Sequence, residues 1–321
     1  MKLQQAKLVP RRLAARREWL ERIKYWIVGQ EANRGLIFRI ALYVILLSTA
    51  YIYINPILYM LVTMVKSEKD LLDPTVQWVP SHLYGGHLNA AYASLKYGTS
   101  FAISMGVAVV SAIFHCLSCA VAGFAFARLQ FPFKRTMFFM LLVALIVPPQ
   151  VTILPMIIAY NQLGFHNSVI ALVVPSLFGF GVKGPLFVLI YRQFFASQPK
   201  ELEEAARMEG AGAWKIFIRV MLPVAKPAAL VVLLFSFVWT WNDSYLPNMF
   251  MTTAQNVPLA SQMSRLDQVI ETMLTTGQAP LYYFEPIKMA ASFLSILPPL
   301  LLYFLAQRWF TESVERTGLV E

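Results

Sequence analysis

Long apolar runs separated by polar segments dominate the chain between residues 36 and 306. Each run exceeds the roughly 20 residues that an α-helix needs to cross a bilayer. The pattern therefore predicts an all-α polytopic membrane protein with six transmembrane helices in a lipid bilayer. We expect these spans at residues 36–64, 101–127, 137–160, 168–191, 228–251 and 284–306.

The composition agrees with this fold class and narrows the function. Hydrophobic residues make up 58% of the chain and charged residues 14%, whereas a soluble domain carries about 25% charged residues. The net charge of +10 lies on the flanks of the apolar runs, not on a patch with interleaved aromatics, so no nucleic-acid partner is expected. Cys116 and Cys119 lie within one apolar run and imply no disulfide framework.

The lysines and arginines predict the orientation of the chain. With the N-terminus inside, the cytoplasmic segments hold 20 of them and the outer loops hold 4, as the positive-inside rule requires. We therefore expect a multi-pass membrane protein with both termini in the cytoplasm. Its regions would be a basic N-terminal tail without a cleavable signal peptide (1–35), the first span with a long external loop (36–98), a five-helix core (99–308) and a C-terminal tail (309–321).

The polar segment at residues 198–223, which we call the elbow, is predicted to form a helix–turn–helix on the cytoplasmic face. Pro199 suits the first turn of a helix, and three glutamates follow at the positive end of the helix dipole. Gly210 and Gly212 end this helix, and a second short helix begins near Trp214. The small residues of the elbow would let another protein approach its backbone closely.

The elbow resembles the cytoplasmic EAA loop of ABC-importer permeases. That pattern is Glu-Ala-Ala, three residues, Gly, nine residues, then an aliphatic residue, any residue, Leu and Pro. Glu209 stands where the family often has Asp. The resemblance implies contact with a cytoplasmic ATPase through the matching residues, which are Glu204, Ala205, Ala206, Gly210, Leu222 and Pro223.

From about residue 99 onward the chain is similar to permease subunits of carbohydrate-type ABC importers, and most of all to the second permease of maltose-type systems. Further similarity lies in Pro148-Pro149-Gln150 with Pro155, in Trp241-Asn242-Asp243 and in the tail 312–319. The resemblance implies a type-1 ABC importer permease bundle in the bacterial plasma (inner) membrane. It would work with a second homologous permease, two copies of an ATPase subunit and an extracytoplasmic solute-binding protein. Because the chain has no Walker-type loop, ATP and Mg are expected on the ATPase subunits, with no cofactor and no enzymatic activity in this chain.

Polar residues inside the spans are candidate pathway residues. Lys183 lies between Gly181 and Gly184 and either faces the pathway, where it would attract an anionic sugar, or pairs with Asp243 across the bundle. The prolines of the third span produce either a pathway-lining kink or a static one. The candidate substrate residues are Lys183, Gln150, Trp241, Asn242 and Asp243.

Two further segments have alternative interpretations. Apolar residues of the outer loop at 252–283 recur every three or four positions, which predicts a short amphipathic helix that leans on the bundle or faces a soluble partner. His115, Cys116 and Cys119 lie on one predicted helix with no second cluster elsewhere in the sequence. This arrangement makes a poor metal site, so we predict a packed helix face.

The sequence thus predicts a transmembrane permease subunit of an ATP-driven, binding-protein-dependent importer. It would form half of the pathway for a sugar or oligosaccharide, with an acidic sugar as one candidate. The alternative is a secondary transporter driven by an ion gradient, which would need intramembrane carboxylates and repeated halves. Asp243 is the only carboxylate residue well inside a predicted span, and no internal repeat is visible in the sequence.

Overall fold

The computed structural model describes residues 35–181, 183–277 and 283–318, and it describes side chains as far as Arg308 except at positions 273 and 274. Residues 1–34 of the basic tail and residues 319–321 lie outside the described residues. All regular secondary structure in the described ranges is helical. The all-α fold class is therefore confirmed.

The first helix, α1, spans Leu36–Thr63 and matches the first predicted membrane span. Its 28 residues are apolar enough and long enough to cross a bilayer. Its large side chains, such as Tyr53 at 74% exposure, are largely uncovered, as expected for a helix whose sides meet lipid.

The chain from Thr63 onward forms a second compact unit, built around one central helix. That helix is α4 (Tyr97–Arg128). The other elements are α2 (Glu68–Leu72), α3 (Gly86–Ser94), α5 (Lys134–Ile146), α6 (Pro149–Gln162), α7 (Ile170–Leu177), α8 (Gly184–Ser197), α9 (Glu201–Met208), α10 (Ala213–Val224), α11 (Lys226–Asn242), α12 (Tyr245–Phe250), α13 (Leu259–Thr275) and α14 (Phe284–Gly318). Helix α4 packs most extensively on α8 and α11 and also contacts α7 and α13.

A glycine sets the close contact between α4 and α8. A Cβ atom at Gly123 would lie 2.5 Å from the Cβ of Tyr191 and 2.9 Å from the backbone nitrogen of Arg192. Only a residue without a side chain permits this approach, which is the way in which small residues bring membrane helices together.

Six uninterrupted spans are not confirmed. Three described helices, α1, α4 and α14, are each long and apolar enough to cross a membrane. Two bent pairs raise this number to at most five: α5 and α6 meet at 102°, and α10 and α11 meet at 76°. The first bend falls at Val147–Pro148, because proline removes a backbone donor and disfavours a helical conformation in the residue before it.

The fourth predicted span, at residues 168–191, is wrong as a continuous helix. It is divided into α7 and α8 by residues 178–183, which we call the α7–α8 break. Gly179 (φ +66°), Gly181 (φ +105°) and Lys183 (φ +60°) adopt positive φ angles that end a right-handed helix. A Cβ atom at Gly184 would lie 2.2 Å from the carbonyl oxygen of Gly179, so glycine is required where the chain resumes.

Both long loops predicted outside the membrane contain ordered helices. The amphipathic helix predicted within 252–283 is confirmed as α13, and its buried residues Leu259, Leu266 and Ile270 pack on the bundle. In the first loop, Asp70 accepts hydrogen bonds from the Ser67 and Ser81 hydroxyls at 2.8 and 2.5 Å. The Ser81 hydroxyl, followed by Ser67, holds the pKa of Asp70 well below its usual range.

Candidate coupling elbow and pathway residues

The predicted helix–turn–helix of the elbow is confirmed by α9 and α10. Helix α9 begins at Glu201, so Pro199 precedes the helix by two residues instead of lying in its first turn. Gly210 follows the helix with φ +79°, which is the left-handed turn that glycine supplies after a helix end. Helix α10 then leads towards α11 and contains a π-helical turn at Phe217–Met221.

An aromatic anchor fixes the elbow to the bundle. Ile216, Phe217 and Met221 are buried in a core shared with α4 and α8. The rings of Phe217 and Phe124 lie 5.2 Å apart, a distance typical of favourable aromatic pairs. The elbow is consequently part of the folded bundle and not a loose connection.

A buried ion pair docks α9 on the end of the central helix. The Arg128 Nε atom lies 2.9 Å from Glu203 Oε1, and both side chains are only 7% exposed. Arg128 also donates a hydrogen bond to the Gln198 carbonyl, where α8 ends. The sequence interpretation missed this pair, because Arg128 was counted only as a topological charge and Glu203 only as a helix-dipole residue.

The opposite face of the elbow is open. Glu204 and Ala205 are exposed, and nothing lies within 4 Å of the position of a Cβ atom at Gly210. Ala206 and Leu222 are partly buried against the anchor, whereas Pro223 is exposed. Two large apolar side chains also point outwards from the elbow: Met208 is 90% exposed and Trp214 is 63% exposed.

Lys183 and Gln150 lie at two discontinuities of the spans. Lys183 is exposed in the α7–α8 break, and among the described residues it makes no ion pair with Asp243. Gln150 is exposed in the first turn of α6, directly after the bend from α5. Both polar groups therefore occur where the backbone leaves its helical path.

Each residue of the Trp241-Asn242-Asp243 triplet makes a hydrogen bond to the protein backbone. Trp241 is 2% exposed and donates its indole N–H to the Ser295 carbonyl at 3.1 Å. The exposed Asn242 donates to the Val238 carbonyl at 2.9 Å, within its own helix. Asp243, one residue before the N-cap Ser244, accepts the free backbone N–H groups of Tyr245 and Leu246 at 2.9 and 3.3 Å at the start of α12.

A small cavity with a mainly apolar lining and a few polar groups adjoins Asp243 inside the bundle. Its volume is about 30 Å³, and its lining includes His115, Ser111 and Thr240. The hydroxyls of Ser111 and Thr240 have no hydrogen-bond partner among the described residues. The cavity is large enough for one or two water molecules and too small for a sugar. It is therefore not a preformed saccharide site in this conformation.

The residues that could suggest a metal on α4 instead bind the α7–α8 break. His115 Nε2 lies 3.0 Å from the Phe180 carbonyl, and Nδ1 lies 2.8 Å from the Ser236 hydroxyl on α11. Since a carbonyl only accepts, Nε2 carries the proton in the neutral ring and Nδ1 accepts from Ser236. Cys119 contacts the Gly184 carbonyl at 3.7 Å. The His115 contact satisfies the Phe180 carbonyl, which lies in the break and outside both helices.

Membrane-spanning helices, broken spans and a firmly anchored elbow with an open outer face together define the permease class of transport proteins. The chain belongs to the family described as "Binding-protein-dependent transport system inner membrane component", which matches residues 119–316, more than half of the chain. It is thus a multi-pass membrane permease with a transport function in a binding-protein-dependent ABC import system.

Named relatives agree with this assignment. The osmoprotective compounds uptake permease protein GgtD of Synechocystis is 28% identical over 86% of this chain and 90% of its own length. The sn-glycerol-3-phosphate transport system permease protein UgpE of Agrobacterium fabrum is 26% identical over 88% of this chain and 97% of its own length. A solved bacterial ABC transporter involved in the import of alginate contains a chain of the same fold, with a TM-score of 0.73, 20% identity, and coverage of 88% of this chain and 98% of that chain.

Proposed function

We propose that the chain forms half of the translocation pathway of a sugar or oligosaccharide importer and that its elbow binds a cytoplasmic ATPase subunit. In this arrangement both termini face the cytoplasm, a second homologous permease completes the pathway, and two ATPase subunits bind ATP and Mg. An extracytoplasmic binding protein delivers the substrate. This chain then converts closure of the ATPases into alternating access and catalyses no reaction itself.

The observation that carries the proposal is the division of the elbow into a docked face and an open face. The docked face contains Glu203 and the aromatic anchor, so a force applied to the elbow reaches the bundle. The open face presents Glu204 and Gly210 beside the exposed apolar groups of Met208 and Trp214. A charged acceptor among exposed apolar side chains suits a protein partner that supplies a basic residue.

The test is a comparison of Gly210→Asp with Gly212→Asp. Gly210 has φ +79°, where a side chain costs about 1–2 kcal/mol, whereas Gly212 has φ −74° and tolerates a side chain. Both glycines are open, so neither substitution creates a clash. Gly210→Asp is expected to release the ATPase or to uncouple hydrolysis from uptake in a folded bundle, while Gly212→Asp retains both. Normal assembly and uptake in Gly210→Asp would refute the proposal.

The substrate class rests on the relatives and on Lys183. The named relatives include an alpha-glucoside permease of Rhizobium meliloti and a diacetylchitobiose permease of Streptomyces coelicolor. Lys183 is exposed and makes no ion pair among the described residues, which supports a pathway position and an affinity for anionic sugars. Lys183→Met should lower uptake of an acidic sugar without loss of assembly. If Lys183→Met and Asp243→Asn each impair folding and the double variant restores it, the two residues form a structural pair instead.

Helix α13 offers a polar face to the binding protein. Deletion of residues 266–275 should abolish stimulation of the ATPase by the binding protein, but it would also remove the buried residues Leu266 and Ile270. Glu271→Lys is a sharper test, since Glu271 is exposed, whereas the neighbouring Asp267 is paired with Lys288 at 3.0 Å. Glu271→Lys should weaken stimulation and leave basal hydrolysis unchanged. Undiminished stimulation would make α13 a structural cover of the bundle.

A further inference from the structure

A basic pocket lies at the connection between α4 and α5, against Arg192 of α8. Its volume is about 550 Å³, within the range of small-molecule sites. Three cationic residues line it, two from the first turn of α5 and one from α8, and no carboxylate is among the lining residues. The lining consists of Phe126, Gln130, Phe131, Phe133, Lys134, Arg135, Phe138 and Arg192.

The cations of the pocket are uncompensated. Within the described part of the chain, Lys134, Arg135 and Arg192 make no ion pair. Lys134 donates to the Leu129 carbonyl at 2.7 Å, which fixes its ammonium at the pocket wall. The nearby carboxylate of Glu203 is already paired with Arg128. The pocket therefore attracts an anion that the described chain does not supply.

The rest of the wall is aromatic and fixes the shape of the pocket. The Phe126 ring lies 5.7 Å from Phe131 and 5.6 Å from Phe138. The Arg192 guanidinium lies 4.3 Å from the centre of the Phe138 ring, a cation–π contact that orients it. Phe133 adopts φ +59° and is 79% exposed, so the connection holds this ring outwards at some conformational cost.

An apolar surface continues from the pocket along α5. No residue of α5 is buried, and Met137, Phe139 and Met140 are 51–65% exposed. A ligand with an anionic head and long apolar chains would match both parts of this surface. A soluble anion would use only the cations, and an acidic protein segment would leave the apolar strip uncovered.

We propose that this pocket binds an anionic phospholipid, with the phosphate at Lys134, Arg135 and Arg192 and the acyl chains along α5. Basic pockets between membrane helices bind such headgroups, and each cation near an anionic membrane surface contributes about 1 kcal/mol. Because Arg192 lies on α8 and Arg128 joins the ends of α4 and α8 to the elbow, the lipid would bind directly beside the coupling element.

The experiment measures retained lipid. The full-length chain is purified with the subunits that accompany it, exchanged into nanodiscs of phosphatidylcholine with a minor fraction of phosphatidylglycerol, and released for native mass spectrometry. Lys134→Gln and Arg192→Gln should each lower phosphatidylglycerol retention about fivefold, and the double variant about 25-fold. Arg192→Lys keeps the charge and should retain most of the lipid.

Lys226→Gln is the matched control, because Lys226 is exposed at the start of α11, directly after the elbow, and does not line the pocket. Retention must stay at the wild-type level in this variant, and a loss equal to that of Arg192→Gln would overturn the proposal. Displacement of the lipid by soluble glycerol phosphate at matched concentration would identify a site for free phosphate and overturn it too. Binding by the isolated chain but not by the assembled complex would show that a protein partner occupies the pocket.

Discussion

The buried pair between Arg128 and Glu203 allows a quantitative test of how the elbow is attached. Replacing Arg128 by Met leaves the Glu203 carboxylate 7% exposed, with only the distant Arg207 contact at 3.4 Å. Replacing Glu203 by Leu leaves the Arg128 guanidinium with the Gln198 carbonyl as its remaining acceptor. Each single substitution thus leaves one buried charge without its main partner.

The expected magnitude follows from burial. Removing one partner of a buried ion pair costs about 3–5 kcal/mol, because the remaining charge keeps its desolvation penalty. We expect about 3 kcal/mol for each single variant, the lower value, since Arg207 and Gln198 provide partial compensation. This corresponds to about a 150-fold increase in the population of the undocked elbow. The double variant Arg128→Met with Glu203→Leu should lose about 1 kcal/mol or less, because apolar replacements of buried pairs are often neutral.

Hydrogen exchange at the amides of α9 reports the free energy of local opening directly. The four proteins of the cycle are compared in the same micelle, and Arg207→Met serves as the control. Arg207 is 57% exposed, so its loss should change the opening free energy by about 0–1 kcal/mol. Single variants that lower protection by less than about 1 kcal/mol, or a double variant whose loss equals the sum of the singles, would refute this account of elbow docking.

Three further predictions address other parts of the fold. Gly123→Ala would place a Cβ atom 2.5 Å from that of Tyr191, so it should lower stability by about 1–3 kcal/mol, measured by unfolding in mixed micelles; an unchanged midpoint would contradict the packing. Folding lowers the pKa of Asp70 from its ordinary value of 3.8, so the ionised carboxylate stabilises the first outer loop at pH values above 3.8. Exchange protection in this loop should therefore fall as the pH drops from about 4 towards the lower pKa of the folded protein, and Asp70→Asn should remove this pH dependence. His115→Phe should increase exchange in the α7–α8 break, because it loses the bonds to Phe180 and Ser236; unchanged exchange would show that the break does not need this side chain.

The elbow was the part of the molecule that the sequence predicted best. Its helix boundaries and its glycine turn depend on local chemistry, and the positive φ of Gly210 follows from the same rules. Its docking was not predictable, because the choice between Glu203 and Glu204 as the buried residue depends on Arg128, 75 residues earlier in the chain. The outward direction of Glu204 is a consequence of that distant partner.

The structure of the predicted spans likewise depends partly on local sequence and partly on contacts with distant residues. The run at 168–191 is mainly apolar, with Lys183 as its single charged residue, and hydropathy does not distinguish a continuous helix from two short ones with a break between them. Gly179, Gly181 and Gly184 were a visible signal of the break, but its stability depends on donors from α4 and α11. Trp241 was a candidate substrate residue, whereas its burial beside Ser295 reflects packing that no local pattern encodes.

The hydrogen bonds of His115 to the α7–α8 break have a mechanical consequence. They tie the break to α4 and α11, and Arg128 ties the other end of α4 to the elbow. A displacement of the elbow would therefore move α4, α8 and the α7–α8 break together, as one rigid body. Among the described residues, the bend between α5 and α6 has no buried hydrogen bond of this kind, and neither helix contains a buried residue. Partly exposed contacts hold the two helices, α5 through Phe138 on Arg192 and α6 through Tyr160 on Phe250. We therefore expect the permease to change its opening at Val147, between these contacts, while the α7–α8 break keeps its shape.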